Sequence, residues 1–152
     1  ISANVEHIRQ EMDRLASSLP EYNTVMGLKG VGPTFGPQLI AEIGDITRFS
    51  HREALTAYAG VDPGVNESGS FKSKSNSASK CGSSRLKKTL YLIMVSLLQT
   101  KPLDDPVYRF LDKKRMEGKP YHVYMTAGAN KFLRIYYGTV KAYFRSLEKP
   151  EI

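Results

Sequence analysis

Val5, Ile8, Met12 and Leu15 recur at three- and four-residue steps, with Glu6, Arg9, Glu11, Asp13 and Arg14 between them. That spacing predicts an amphipathic helix from about Asn4 to Ser18. It is short for a coiled coil by itself and fits the end of one. Pro20 stops it and can open a second short helix, Glu21 to Leu28, at the first-turn position. After Gly30-Val31-Gly32-Pro33, the residues Phe35, Leu39, Ile40 and Ile43 take up a helical pattern again. Gly44 to Phe49 reads as a connector. Ser50 and Glu53 then form a capping-box pair for a helix that ends near Ala59. His51, at its start, reads as an exposed surface residue.

The second half is more strongly apolar. Leu86, Leu90, Ile93, Met94, Leu97 and Leu98 predict a helix from about Ser84 to Gln99, ended by Lys101-Pro102. Asp105 caps and Pro106 opens the next, with Val107, Phe110 and Leu111 inside. Gly118 and Pro120 close it. The last helix runs from about Tyr121 to Leu147, with Met125, Ala129, Phe132, Tyr136, Val140 and Tyr143 along one face. Lys131, Arg134, Lys141 and Arg145 fall on another, a basic stripe that could touch a phosphate backbone but reads first as a solvated face. Most of the nine tyrosines sit at spacings of core or half-buried rim. The fold class is mainly α: a single helical domain interrupted between Gly60 and Ser79 by a loop or short β-hairpin.

That interruption changes the picture, because the chain's charge gathers there. Between Asn66 and Lys88 six cations (Lys72, Lys74, Lys80, Arg85, Lys87 and Lys88) face one acid, Glu67. The segment carries a net +5 of the chain's +7. Eight serines share it, from Ser68 to Ser84, with Gly69 and Gly82. Small hydroxyl side chains and glycine let backbone come close to a polyanion while Lys and Arg neutralise it, so the segment reads as phosphate-contacting. The Lys29 to Pro33 stretch adds a second candidate. Helix, Gly-Val-Gly turn, helix is the helix-hairpin-helix pattern, in which Gly30 and Gly32 leave N–H groups open at a helix start.

At 152 residues the chain can form one domain with a real core. Its 41% hydrophobic and 24% charged residues are ordinary for a globular protein. No apolar run approaches the roughly 18 residues that span a bilayer, so no membrane partner is expected. The single Cys81 excludes an internal disulfide framework and a Cys-based zinc site, and fits a reducing compartment. No metal-ligand spacing is visible among the Asp, Glu and His residues. Ile1 opens the chain in mid-pattern, which suggests a fragment of something longer.

Six blocks, in order, now carry a resemblance. They are Gly30-Val31-Gly32-Pro33; Ala41-Glu42-Ile43-Gly44-Asp45-Ile46 with Arg48-Phe49-Ser50; Leu55-Thr56-Ala57-Tyr58-Ala59-Gly60-Val61; Glu67-Ser68-Gly69; Ser79-Lys80 with Gly82; and Arg85-Leu86-Lys87-Lys88. Over about Val25 to Tyr143 the sequence resembles the C-terminal half of insertion-sequence transposases of the IS-one-ten and IS-one-one-six kind, the group that also holds the pilin-gene invertases. The resemblance implies an N-terminal RuvC-like domain elsewhere in the protein, carrying four acids and a divalent metal, so no cofactor is expected in this stretch. Residues 1–20 would then be the helix continuing from that domain, and 21–147 the helical C-terminal domain. It implies DNA transposition in which a serine attacks a phosphodiester. The family's Ser-Gly position falls on Ser68-Gly69, which makes Ser68 the candidate nucleophile and Ser70 the runner-up. Lys29, Gly30, Gly32, Lys72, Lys74, Lys80, Arg85, Lys87 and Lys88 are the candidate DNA contacts.

Implied partners are DNA, a guide RNA in at least some members, and further copies of the chain. The implied location is the bacterial or archaeal cytoplasm, at the nucleoid. Cys81 and Ser83 depart from the family, standing where Arg and Asn are usual, and Cys81 reads as a small packed residue. Two other readings remain open: a non-catalytic helix-hairpin-helix module of repair or replication, and a basic helical domain that assembles only with protein through the Asn4–Ser18 helix.

Overall fold

The computed structural model describes residues 2–62 and 80–148, with the side chains of 80–83 excepted. Among the described residues the fold is mainly helical, with seven α-helices. They are α1 (Ser2–Ser17), α2 (Tyr22–Met26), α3 (Gly32–Ile43), α4 (Arg52–Ala59), α5 (Lys80–Thr100), α6 (Pro106–Met116) and α7 (Tyr121–Glu148). A short 3-10 turn, Ile46–Arg48, joins α3 to the α4 region. The loop or β-hairpin expected between Gly60 and Ser79 falls largely outside the described residues.

Two long helices organise the rest. On α5, Leu86, Leu90, Ile93, Met94 and Leu97 are fully buried, as their spacing predicts. On α7 the buried face is Tyr124, Met125, Ala129, Phe132, Leu133, Tyr136 and Val140. α7 packs on α4, α5, α6 and α2, whereas α3 packs on α1, α2 and α5. Gly128 is where α7 comes closest to its neighbours: a Cβ there would lie 3.1 Å from both Leu111 Cγ on α6 and Met94 Sδ on α5. Hydrogen and ring contacts fasten the periphery to α7. Tyr137 Oη donates to Phe49 O at 3.1 Å, and Asn130 Nδ2 to Val61 O at 3.1 Å. Tyr91 and Thr126 share a 2.6 Å hydroxyl contact. Arg48 lies over both Phe49 and Tyr58 and donates to Ile43 O.

Several boundaries differ from those the sequence predicts. α2 is shorter than Glu21 to Leu28, because Pro20 and Glu21 stand in the preceding turn and Gly27 ends it. The cap of α4 is His51, not Ser50: His51 Nδ1 accepts from Ala54 N–H at 3.1 Å. His51 is exposed, as expected, and also satisfies one of the orphan donors of that helix start. α5 begins at Lys80 rather than near Ser84. At α6 the expected start holds, with Asp105 accepting from Tyr108 N–H at 2.9 Å and Pro106 in the first turn.

The amphipathic stripe of α1 has a different fate. Ala16 is buried and Met12 half-buried against α3, but Val5, Ile8 and Leu15 stay about half exposed, at 45, 57 and 58%. No described helix is long and apolar enough to cross a membrane.

Candidate nucleic-acid interface

The turn between α2 and α3 is set by its glycines. Gly30 has φ +83° and Gly32 φ +61°, a region that side chains reach only with strain. Their surroundings differ. A Cβ on Gly30 would stand 2.9 Å from Leu97 Cγ and 3.3 Å from Ile93 Cγ2, whereas one on Gly32 would meet nothing within 4 Å. Gly30 therefore lets the turn press on the last part of α5, and Gly32 faces open space.

Across this turn the N–H groups of Lys29, Gly30, Gly32 and Thr34 donate to no backbone carbonyl of the described residues. The turn borders an open concavity of about 400 Å³ completed by Phe35, Ser96 and Thr100. Lys29 is exposed beside it. Unpaired N–H groups at the start of a helix attract an anion whatever its attached sequence.

The second group of expected contacts lies at the other end of α5. Arg85 and Lys88 are exposed on its early turns, and Lys87 is half-buried with its ammonium 5.9 Å from the Tyr91 ring centre. Lys80 belongs to α5 by its backbone. Ser68, Ser70, Lys72 and Lys74 lie outside the described residues, as does the surrounding Gly/Ser/Lys stretch. Among the described residues the expected contacts are thus not gathered into one spot. Gly30 abuts Leu97, twelve residues along α5 from Arg85, a separation of about 18 Å at 1.5 Å per residue.

Two features escaped the sequence reading. Glu42, on α3, has one carboxylate oxygen buried without a hydrogen-bond partner. Burial pushes its pKa up, against the opposing pull of the Thr89 hydroxyl and the Arg85 charge. Its position in the third turn of an apolar helix looks like a surface site from spacing alone. The other is a basic concavity of about 450 Å³ lined by Arg52, Phe110, Ala127, Asn130, Lys131, Arg134 and Ile135. Beside that lining, Glu53 Oε1 accepts from Arg52 Nε at 3.1 Å and from Arg134 Nη2 at 3.4 Å. Its own backbone N–H first, then these arginines, hold the Glu53 carboxyl down at about 2. Among the described residues no three His, Cys, Asp or Glu side chains come together to hold a metal.

A helical domain with a glycine turn against one end of α5 and cations at the other is the frame into which a comparison with known families fits. Its class is that of transposase-related proteins. Residues 22–109, more than half of the sequence, match the model of the Transposase IS116/IS110/IS902 family, and the chain belongs to that family. No match was found among curated proteins or among solved structures. The matched stretch runs from α2 into α6 and takes in the glycine turn and the whole basic segment.

Proposed function

We propose that this chain is the DNA-contacting C-terminal domain of a transposase or site-specific recombinase. In this reading α2, α3 and the Gly30–Pro33 turn act as a helix-hairpin-helix that holds one backbone phosphate on its open N–H groups, with Lys29 beside it. Arg85, Lys87 and Lys88, together with Lys72, Lys74 and Lys80, neutralise further phosphates. Ser68, or Ser70 in its place, supplies the hydroxyl: its Oγ forms an ester bond to phosphorus as the bond to the leaving strand breaks, and a base takes the proton. A serine hydroxyl needs such a base or a metal to act as a nucleophile. The acids and divalent metal for that step belong to the RuvC-like domain that the resemblance implies, and no step is assigned to a metal among these residues. The transition state spreads charge over the phosphoryl oxygens, which neighbouring cations offset.

The observation that carries this reading is the family match, because it spans the turn and the basic segment together. Its test has two arms. A duplex titrated at several salt concentrations should lose affinity along a log–log slope of roughly −0.9 per phosphate contacted. Binding that ignores salt, or no binding, refutes the DNA reading and favours a protein-only role. In the full-length protein, Ser68→Ala should abolish recombination of the element. If both Ser68→Ala and Ser70→Ala recombine normally, the chain is a non-catalytic helix-hairpin-helix module.

A further inference from the structure

The concavity between α4, α6 and α7 is separate from both the glycine turn and the cations of α5. It shares no residue with the concavity at Gly30–Phe35. Two of its three cations, Lys131 and Arg134, fall beyond the stretch that matches the family model. They come from a helix stripe for which the sequence favours a solvated face over phosphate contact, and it says nothing there of Arg52.

The arrangement is more specific than a charged face. Arg52, at the first position of α4, and Arg134, in the middle of α7, both address one carboxylate oxygen of Glu53. Two guanidinium groups aimed at one oxygen are already arranged as a phosphate oxygen needs them, and Arg is the side chain whose planar fork suits phosphate. Lys131 stands at the edge of the same concavity, its ammonium 5.4 Å from the Phe110 ring centre. Phe110, Ala127 and Ile135 supply an apolar floor. The cations outnumber the single acid three to one. Asn130, in the same lining, holds Val61 O, where the chain is about to enter the basic segment.

We propose that Arg52, Lys131 and Arg134 form a second phosphodiester-binding site, for a stretch of nucleic-acid backbone other than the one at the Gly30 turn. The proposal rests on the nucleic-acid reading given above. Glu53 is the internal stand-in: it occupies both arginines until a phosphate replaces it. Site and stand-in therefore predict opposite signs, since removing the cations weakens binding and removing the acid strengthens it. A purely structural ion-pair cluster would leave the salt slope of nucleic-acid binding unchanged.

The test measures affinity against salt for the parent chain, an Arg52→Gln/Lys131→Gln/Arg134→Gln variant, Arg52→Gln alone, and Glu53→Gln. The probes are a DNA duplex and a single-stranded RNA, which separate the two sources of phosphodiester. Exposed ion pairs contribute little to stability, so all variants should melt close to the parent. Arg52→Gln alone answers the question if the triple change unfolds. The triple variant should lower the salt slope by about 2 to 3 on the probe the site holds, and weaken it about tenfold or more at 0.1 M salt. Arg52→Gln should lower the slope by about 1, and Glu53→Gln should tighten binding several-fold on the same probe. Unchanged slopes on both probes, with the parent still binding, overturn this site and leave the turn-centred reading intact. If the parent binds neither probe, both fall.

Discussion

Gly30 and Gly32 share a positive φ but not a neighbourhood, so alanine at each separates backbone strain from packing. Alanine at either position incurs the left-handed penalty, about 1–2 kcal/mol. Only at Gly30 does the new methyl press on Leu97 at 2.9 Å and Ile93 at 3.3 Å. Leu97 and Ile93 are fully buried, so their side chains have little room to move aside, and overpacking of that kind adds about 1–3 kcal/mol. Gly30→Ala should therefore be less stable than Gly32→Ala by about 2 kcal/mol. For a domain of this size that is a gap of about 4–8 °C in Tm, or about 1 M in the urea midpoint. Leu97→Ala is itself costly at a buried site, but combined with Gly30→Ala it should cost less than the sum of the two single losses, a coupling term between touching residues. The reasoning fails if the two alanine variants melt together. Gly30 would then serve only to open the backbone, and its substitution should show in nucleic-acid affinity rather than in stability.

Gly128→Ala forces a methyl between α7, Leu111 and Met94 and should cost about 1–3 kcal/mol; an unshifted melting curve would show that the three helices can part freely. Glu42→Gln should stabilise the domain at pH 7. Burial raises the Glu42 pKa above its ordinary 4.5, so the folded protein keeps that proton to higher pH than the unfolded chain. The stability this lends is complete below about pH 4.5 and is lost as pH rises through the folded value. Gln should flatten that part of the stability–pH profile, and a Gln variant that melts lower than the parent at pH 7 would mean that the pull of Arg85 and Thr89 outweighs burial.

The helices of the core were legible in the sequence because their apolar residues keep a 3.6-residue period over three turns or more, as Leu86 to Leu97 and Met125 to Val140 do. Periodicity says that a face is apolar without saying what covers it. Val5, Ile8 and Leu15 on α1 satisfy the same rule as Leu86 and Leu90, and they stay exposed. Caps depend on which side chain's geometry reaches the open N–H. Ser50 had the preferred chemistry, but His51 has the reach. The early start of α5 was hidden by Gly82 and the serines, whose weak helix propensity gives way once Leu86 and Leu90 are anchored in the core. The glycine turn and the cations of α5 were readable because each is local. The basic concavity was not, since Arg52 and Arg134 stand 82 positions apart and meet only through Glu53. Glu42 escaped for a related reason: its burial is produced by a helix from another part of the chain.

A straight duplex resting along α5 on Arg85 and on the turn at Leu97 would be touched at points about 18 Å apart, close to five base pairs at 3.4 Å each. Five base pairs are about half a helical turn, so one end would meet the first strand and the other its complement. The spacing of two points along a single helix, fixed in the chain before any partner arrives, would then decide which two strands are held together.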